Sequence, residues 1–158
     1  MSRGYFGIGL ANMKTEVNYG TLFRSANCFG ADFIFMVGRR FKRQSSDTMR
    51  SERHIPLFEF SNWGAFFGSI PLSCQPIAIE ITEDAKSLCE FSHPERAIYI
   101  LGPEDGTLSD DVLRRCVVTL QIPTSHCLNL AVAGSIVMYD RISKSQTQHS
   151  SKNTGVKK

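Results

Sequence analysis

Residues 97–115, AIYILGPEDGTLSDDVLRR, place an apolar run, a turn and a helix-like segment in direct succession. The run at 97–101 is short and rich in β-branched and aromatic residues, which predicts a strand. Ser109 suits a helix cap, and two aspartates follow in the first turn, where the helix dipole favours negative charge. The turn between them, LGPEDGTL at 101–108, holds two glycines that permit close backbone approach. Because an ordinary turn uses the same residues, the turn alone leaves its role open.

The same alternation recurs along the chain and predicts an α/β fold with a mostly parallel sheet flanked by helices. Further strands are predicted at 5–10, 32–37, 76–81 and 117–122. Further helices are predicted at 18–30, 62–69 and 83–90. In the first of these, Asn18 is expected to cap the start, and Gly30 suits the end.

The last predicted helix, CLNLAVAGSIVMYDR at 127–141, is apolar on nearly every side between Leu128 and Tyr139. A helix on a protein surface shows a polar face, so this one must be covered on most sides. Its small residues, among them Gly134, would let another backbone come close. The simplest explanation is a homodimer formed through this C-terminal helix. The alternative is a helix buried entirely within one subunit.

Length and composition bound the class of protein. The chain has 158 residues, which suggests one domain, at residues 1–142. The segment 143–158 holds four lysines and no acid, and we expect a disordered basic tail there. We expect neither a signal peptide nor a membrane span. Five cysteines without a CxxC spacing favour a reducing cytoplasm and argue against a disulfide framework or a metal site.

The charge of the chain is unevenly distributed. The net charge is +3, but residues 1–142 alone carry 14 basic and 15 acidic residues, a net charge of −1. Overall charge therefore says little about nucleic acid. Residues 39–53 carry six basic and two acidic side chains. This segment is either a solvated loop and helix face or a patch that contacts phosphates.

Two more stretches carry residues suited to chemistry. In NYGTLFRSANCFG (18–30), Gly20 and Arg24 share a helix face with Asn27 alongside, which suits an anionic or polar ligand; a solvated arginine is the alternative. In IPTSHCLNLAVAG (122–134), a strand ends in a tight loop whose backbone could hold a purine.

Other catalytic classes find little support in the sequence. A catalytic nucleophile at Cys127, with His126 as its base, is not indicated. Side chains of adjacent residues rarely point at each other, and no acid that would orient His126 is evident. The GIG at 7–9 is not followed by the glycines of a dinucleotide-binding turn, and no P-loop is present. An oxidoreductase of the Rossmann type is therefore not expected.

Taken together and in this order, the three stretches resemble the SpoU/TrmH family of RNA methyltransferases within the SPOUT class. The family motifs are N-x-G-x-x-x-R, then L-G-x-E, then I-P followed by a short loop and S-L-N. The matching positions are Asn18, Gly20, Arg24, Leu101, Gly102, Glu104, Ile122, Pro123, Leu128 and Asn129. The resemblance spans about residues 5–142, and it departs from the family where Thr107 replaces a glycine and Cys127 a serine.

The resemblance implies a trefoil knot in the C-terminal part of the sheet, a homodimer, and S-adenosyl-L-methionine as cofactor. It implies methyl transfer to a ribose 2′-OH of RNA, with tRNA as the expected substrate for a minimal single-domain member and rRNA as the alternative. A non-catalytic RNA-binding or ribosome-associated protein that keeps the fold is the alternative in a different class.

The resemblance also assigns roles to individual residues. The catalytic set it implies is Arg24, Asn18, Glu104 and Asn129. The cofactor-binding set is Ile79, Glu80, Leu101, Gly102, Gly106, Ile122, Pro123, Cys127 and Leu128. The residues expected to grip the RNA backbone are Arg39, Arg40, Lys42 and Arg43. Since a guanidinium rarely gives up its proton, we expect Arg24 to hold an RNA phosphate and stabilise a developing alkoxide rather than act as a base.

Overall fold

Seven strands and four helices alternate along the chain in a computed structural model that describes residues 4–11, 16–38, 50, 53–103 and 106–152. The strands are β1 (Tyr5–Ala11), β2 (Phe33–Val37), β3 (Leu57–Phe60), β4 (Gln75–Ile79), β5 (Lys86–Ser87), β6 (Arg96–Leu101) and β7 (Val118–Gln121). The helices are α1 (Glu16–Phe29), α2 (Trp63–Gly68), α3 (Asp110–Arg115) and α4 (Leu130–Lys152), with a 3₁₀ turn at Leu88–Glu90.

The strands form one sheet in the order β3-β2-β1-β6-β4-β7-β5, and every pairing in it is parallel. This confirms the predicted α/β fold with a parallel sheet flanked by helices. Two short strands at the sheet edges, β3 and β5, were not predicted. The prediction of a helix at 83–90 is wrong, because this segment forms β5 and the 3₁₀ turn.

Helices cover both faces of the sheet, as parallel strands require. On one face, α1 and α4 pack over Ile8, Leu101 and their neighbours in a single apolar cluster. On the other face, α2 and α3 cover a second cluster that includes Phe35 and Ile100. Alternate residues of β1 and β6 thus point into different clusters, which is why both strands are apolar almost throughout.

Glycines in β1 make room for aromatic rings on the α2 side of the sheet. A Cβ atom added at Gly7 would collide with the ring of Phe33, and one at Gly9 would collide with Phe35. Phe35 in turn stacks on Phe66 of α2, with ring centroids 4.5 Å apart. The GIG sequence at 7–9 therefore serves ring packing.

Helix α1 begins at Glu16, so Asn18 lies inside the helix, and the prediction that it caps the start is wrong. Asn18 is buried instead, with 7% of its surface exposed. The predicted end is confirmed: Gly30 has a φ of +69° and donates its N–H to the carbonyl of Asn27. Only glycine adopts that backbone conformation readily.

Helix α4 is longer than the sequence predicted, since it continues past Ile142 to Lys152. The predicted disordered tail at 143–158 is thus helical over its first ten residues, and 153–158 lie outside the described residues. The side chain of Lys144 explains part of this difference, because it donates to the carbonyls of Leu88 and Phe91 at 2.7 and 3.0 Å. These contacts join residues 53 and 56 positions apart, so local composition does not reveal them.

The middle of α4 is anchored by a polar cluster around the buried side chain of Arg141. Arg141, only 3% exposed, donates to the carbonyls of Pro94 and Glu95 at 2.8 Å and to the hydroxyl of Tyr99 at 3.1 Å. Asp140 lies 2.8 Å from Nε2 of His93 and 2.7 Å from Nζ of Lys144. The cluster fixes α4 against the start of β6.

The donors in this cluster determine the protonation of His93. Arginine only donates, and burial raises the pKa of Tyr99 to about 12, so Tyr99 accepts from Arg141 and keeps its own proton. That proton points to Nδ1 of His93, 2.6 Å away, and Nε2–H then donates to Asp140. A second proton on the imidazole would deprive the tyrosine hydroxyl of its acceptor. Burial also lowers the pKa of His93, with the Asp140 carboxylate opposing that effect.

We expect the free energy of unfolding to fall as the pH drops below about 6.5, the usual histidine value. The folded chain holds His93 neutral, whereas the unfolded chain takes up a proton there. The stability that neutral His93 contributes is therefore fully present above pH 6.5 and is lost as the pH falls towards the lowered pKa of the folded state. The loss has a limiting slope of about 1.4 kcal/mol per pH unit. Urea denaturation at pH 7.5, 6.5 and 5.5 measures it.

The variant that tests this expectation is His93→Gln. Its matched control is His54→Gln, at an exposed histidine. His93→Gln should flatten the pH dependence between 6.5 and 5.5, and His54→Gln should leave it in place. An unchanged slope in His93→Gln would contradict the assignment.

Candidate active site

A cavity of about 320 Å³ lies at the carboxyl ends of β4, β6 and β7. Its lining residues are Ile79, Glu80, Ile81, Leu101, Gly102, Pro103, Gly106, Leu120, Gln121, Ile122, Thr124, Cys127, Leu128, Asn129, Leu130 and Ala133. Open parallel α/β sheets bind ligands at this edge, and mostly apolar walls with a few polar groups are typical of binding sites for small molecules. Described residues of the turn at 101–108 and of the loop at 122–129 both line it.

Glu80 connects two of the cavity walls. One carboxylate oxygen accepts the N–H of Ile81 at 3.0 Å, and the other accepts the N–H of Leu108 at 3.1 Å. A Cβ atom at Gly102 would collide with the same carboxylate. Glycine at 102 therefore leaves room for the carboxylate to keep both hydrogen bonds, and Leu108 after the turn is held against the end of β4.

Asn129 joins the third motif to the first. Its side-chain oxygen accepts the N–H groups of Ala131 and Val132 at 2.9 and 3.3 Å, which caps the start of α4. Its amide nitrogen donates to the side-chain oxygen of Asn18 at 3.0 Å. The two asparagines lie 111 positions apart in the sequence, and their hydrogen bond fixes α1 beside the cavity entrance.

Arg24 lies on the exposed side of α1 and does not line the cavity formed by the described residues. Nearby, α1 and α4 present a shallow apolar surface, which we call the α1–α4 surface. Its residues are Thr21, Phe29, Ala131, Val132, Ser135, Ile136 and Tyr139. Val132 and Tyr139 are 45% and 63% exposed, so α4 is not buried entirely within one subunit.

The structure brings most of the predicted cofactor residues together. Those that line the cavity are Ile79, Glu80, Leu101, Gly102, Gly106, Ile122, Cys127 and Leu128. Pro123 is exposed in the loop and does not belong to the lining. Asn129 lines the cavity and contacts Asn18. The remaining predicted residues, Glu104, Arg39, Arg40, Lys42 and Arg43, lie outside the described residues.

Sequence reasoning missed several lining residues, among them Gln121, Thr124 and Ala133. Gln121 and Thr124 adjoin predicted positions in the chain, so extending the third motif by a residue on either side would have found them. Ala133 lies one helical turn after Asn129, and helical spacing would have placed it on the same face.

Among the described residues, no cluster of three or more histidine, cysteine or acidic side chains is arranged to hold a metal ion. In the same part of the chain, no helix is both long and apolar enough to span a membrane.

The chain matches the model of the SpoU rRNA Methylase family over residues 6–139. An uncharacterized tRNA/rRNA methyltransferase of Archaeoglobus fulgidus is 26% identical over 147 residues, which are 88% of this chain and 65% of that protein. The chain therefore spans less than two thirds of the length of this relative.

Solved structures share the fold. The AdoMet-bound rRNA methyltransferase of Sinorhizobium meliloti superposes with a TM-score of 0.79 at 23% identity, over 89% of this chain and 57% of that one. A structure described as giving insights into the 2-OH methylation of C/U34 on tRNA superposes with a TM-score of 0.78 at 22% identity. It is matched over 92% of this chain and 99% of its own length.

We expect Asn129→Ala to lower the free energy of unfolding by about 2 kcal/mol, about 1 for the lost cap and about 1 for the lost hydrogen bond to Asn18. The matched control is Asn62→Ala. Asn62 caps α2 through one bond to the N–H of Ala65 at 2.9 Å, so its loss should cost only about 1 kcal/mol. Urea denaturation compares the two, and equal losses would show that the bond between the asparagines contributes nothing.

Proposed function

Because the chain belongs to the SpoU rRNA Methylase family, we propose that it transfers a methyl group from S-adenosyl-L-methionine to a ribose 2′-OH of RNA, with tRNA as the substrate. The observation that carries the proposal is the convergence of the three motif stretches: two line one cavity, and Asn129 links the first to it. The tRNA assignment is supported by the likeness to a chain of nearly the same extent whose structure concerns tRNA 2-OH methylation.

The cavity residues fit the proposed cofactor. Its walls are apolar on the side of Leu101, Leu120 and Leu130, which suits the face of an adenine ring. Polar groups at Glu80, Gln121 and Thr124 can pair with hydroxyl and amino groups. The eight predicted cofactor residues in the lining would hold the group, with Pro123 shaping the loop. When bound, S-adenosyl-L-methionine supplies a methyl group already activated by its sulfonium.

With an activated methyl at hand, the main task of the protein is to position the attacking oxygen. We assign Arg24 to an RNA phosphate and to the alkoxide that develops at the ribose. The hydrogen bond between Asn18 and Asn129 holds α1 and α4 together, so these two residues position Arg24 relative to the cavity. Glu104 belongs to the same proposed catalytic set. Arg39, Arg40, Lys42 and Arg43 would contact the RNA backbone through their charge.

A homodimer through α4 completes the proposal. The exposed Val132 and Tyr139 on the α1–α4 surface give a second copy an apolar face to cover. Arg24 lies on α1 outside its own cavity, and a partner packed on this surface would bring the two subunits' sites together. We also propose the trefoil knot of the family for the methyltransferase domain at 1–142. The support is that the segments after β6 and β7 both meet the start of α4 at the cavity.

We expect Arg24→Ala to abolish methyl transfer while binding of S-adenosyl-L-methionine changes less than threefold, because Arg24 does not line the cavity. Tritium incorporation from labelled cofactor into total tRNA and, separately, into rRNA measures transfer, and calorimetry measures binding. Arg114→Ala, at an exposed arginine of α3, is the matched control and should remain active.

The position of the label tests the reaction itself. Resistance of the methylated linkage to alkaline hydrolysis would identify a ribose 2′-O-methyl group, since a free 2′-OH is needed for cleavage. Label in rRNA alone would overturn the tRNA assignment. Tight RNA binding without any transfer would favour the non-catalytic alternative.

We expect Tyr139→Glu to convert a dimer into a monomer, because a charge would be buried without a partner in the α1–α4 surface. Light scattering at micromolar concentration measures the mass. The control is Leu72→Glu at a site that is 87% exposed and remote in sequence from both helices. A wild-type monomer would contradict the proposed dimer.

A further inference from the structure

We propose that Glu80 is a positioning and selectivity residue: it holds the turn after β6 in place and makes the cavity favour a cationic sulfonium ligand over the neutral thioether left after transfer. The inference rests on the proposed function and concerns the same site. It adds a role that the motif residues do not supply.

Hydrogen bonds at Glu80 connect three separate segments. Its backbone N–H donates to the carbonyl of Leu120 in β7 at 3.0 Å. Its side chain accepts the N–H of Ile81 beyond β4 and the N–H of Leu108 after the turn, 28 positions away. The backbone of Glu80 thus extends the pairing of β4 with β7, and its side chain alone provides the bond to Leu108 after the turn.

The side chain of Glu80 is in direct contact with the turn. Its carboxylate lies where a Cβ atom at Gly102 would be, so a larger residue at 102 would displace the carboxylate. Leu108 is only 4% exposed, and its N–H would lose this acceptor if the carboxylate were removed. An unsatisfied buried donor is costly, so the turn would shift.

Charge gives Glu80 its second role. Among the described lining residues it is the one charged side chain; the others are apolar or neutral. The apolar part of the cavity wall excludes water, so a carboxylate acts more strongly on a bound cation there than in bulk water. S-adenosyl-L-methionine and S-adenosyl-L-homocysteine differ by a methyl group and one positive charge at sulfur. A negative wall therefore stabilises the bound substrate relative to the bound product, which favours release after transfer.

The test compares dissociation constants for the two ligands, measured by calorimetry on the full chain. In Glu80→Gln we expect the preference for the cationic ligand to fall about tenfold relative to wild type. In Glu80→Asp the charge remains but the side chain is too short to keep both N–H contacts, so both ligands should bind more weakly with their ratio preserved. A purely structural role would weaken both ligands equally in both variants and would overturn the selectivity claim.

Glu83→Gln is the matched control, since Glu83 is exposed and does not line the cavity. It should leave both constants unchanged. If Glu80→Gln does not fold, the preference for a cationic ligand is tested on the wild-type chain with sinefungin, which carries an amine near the position of the sulfonium. Binding of sinefungin no tighter than S-adenosyl-L-homocysteine would then refute the inference. Failure of wild type to bind any of the three would instead refute the proposed function.

Discussion

Helix α4 is held at its start and near its middle by hydrogen bonds, and the rest of the site depends on where it lies. At its start, Asn129 caps the helix and reaches Asn18. Near its middle, Arg141 and Lys144 donate to carbonyls of the segment at 88–95. Between these anchors the helix approaches α1 so closely that a Cβ atom at Gly134 would collide with Leu22. One helix thus lines the cavity, contacts α1 and presents the α1–α4 surface, so a shift in it would alter all three.

Most of the fold follows from local sequence because buried parallel strands are nearly continuous apolar runs, as β1, β2, β4 and β6 are here. The two strands that were missed have weaker signals. β5 has two residues, and β3 is a four-residue edge strand between Pro56 and Ser61. A helix at 83–90 is predicted from its place between two strands, but Lys86 and Ser87 instead pair with the end of β7. Pairing between distant segments overrode the local pattern.

In the site, too, local sequence predicts some features and contacts between distant segments determine the others. Motif residues at strand ends meet in the cavity because parallel strands bring their carboxyl ends to one edge, which sequence order alone predicts. The contacts that hold these residues are non-local and were not predicted. Asn18 was expected to be a cap, and the asparagine that does cap a helix is Asn129. The contact of Glu80 with the N–H of Leu108 likewise depends on the register between β4 and β6, since the two residues follow the ends of these strands.

The position of Arg24 connects the proposed chemistry with the proposed assembly. A residue that stabilises the alkoxide must come within hydrogen-bond reach of the reacting oxygen, yet Arg24 lies on the exposed side of α1, outside the cavity lining. Either the RNA spans from the cavity to this arginine, or a second subunit supplies its own. The exposed side chains of Val132 and Tyr139 favour the second arrangement, because a surface that is apolar is stabilised by being covered. Association would then be a condition for catalysis, and a variant that disrupts the α1–α4 surface would lose activity while its cavity stays intact.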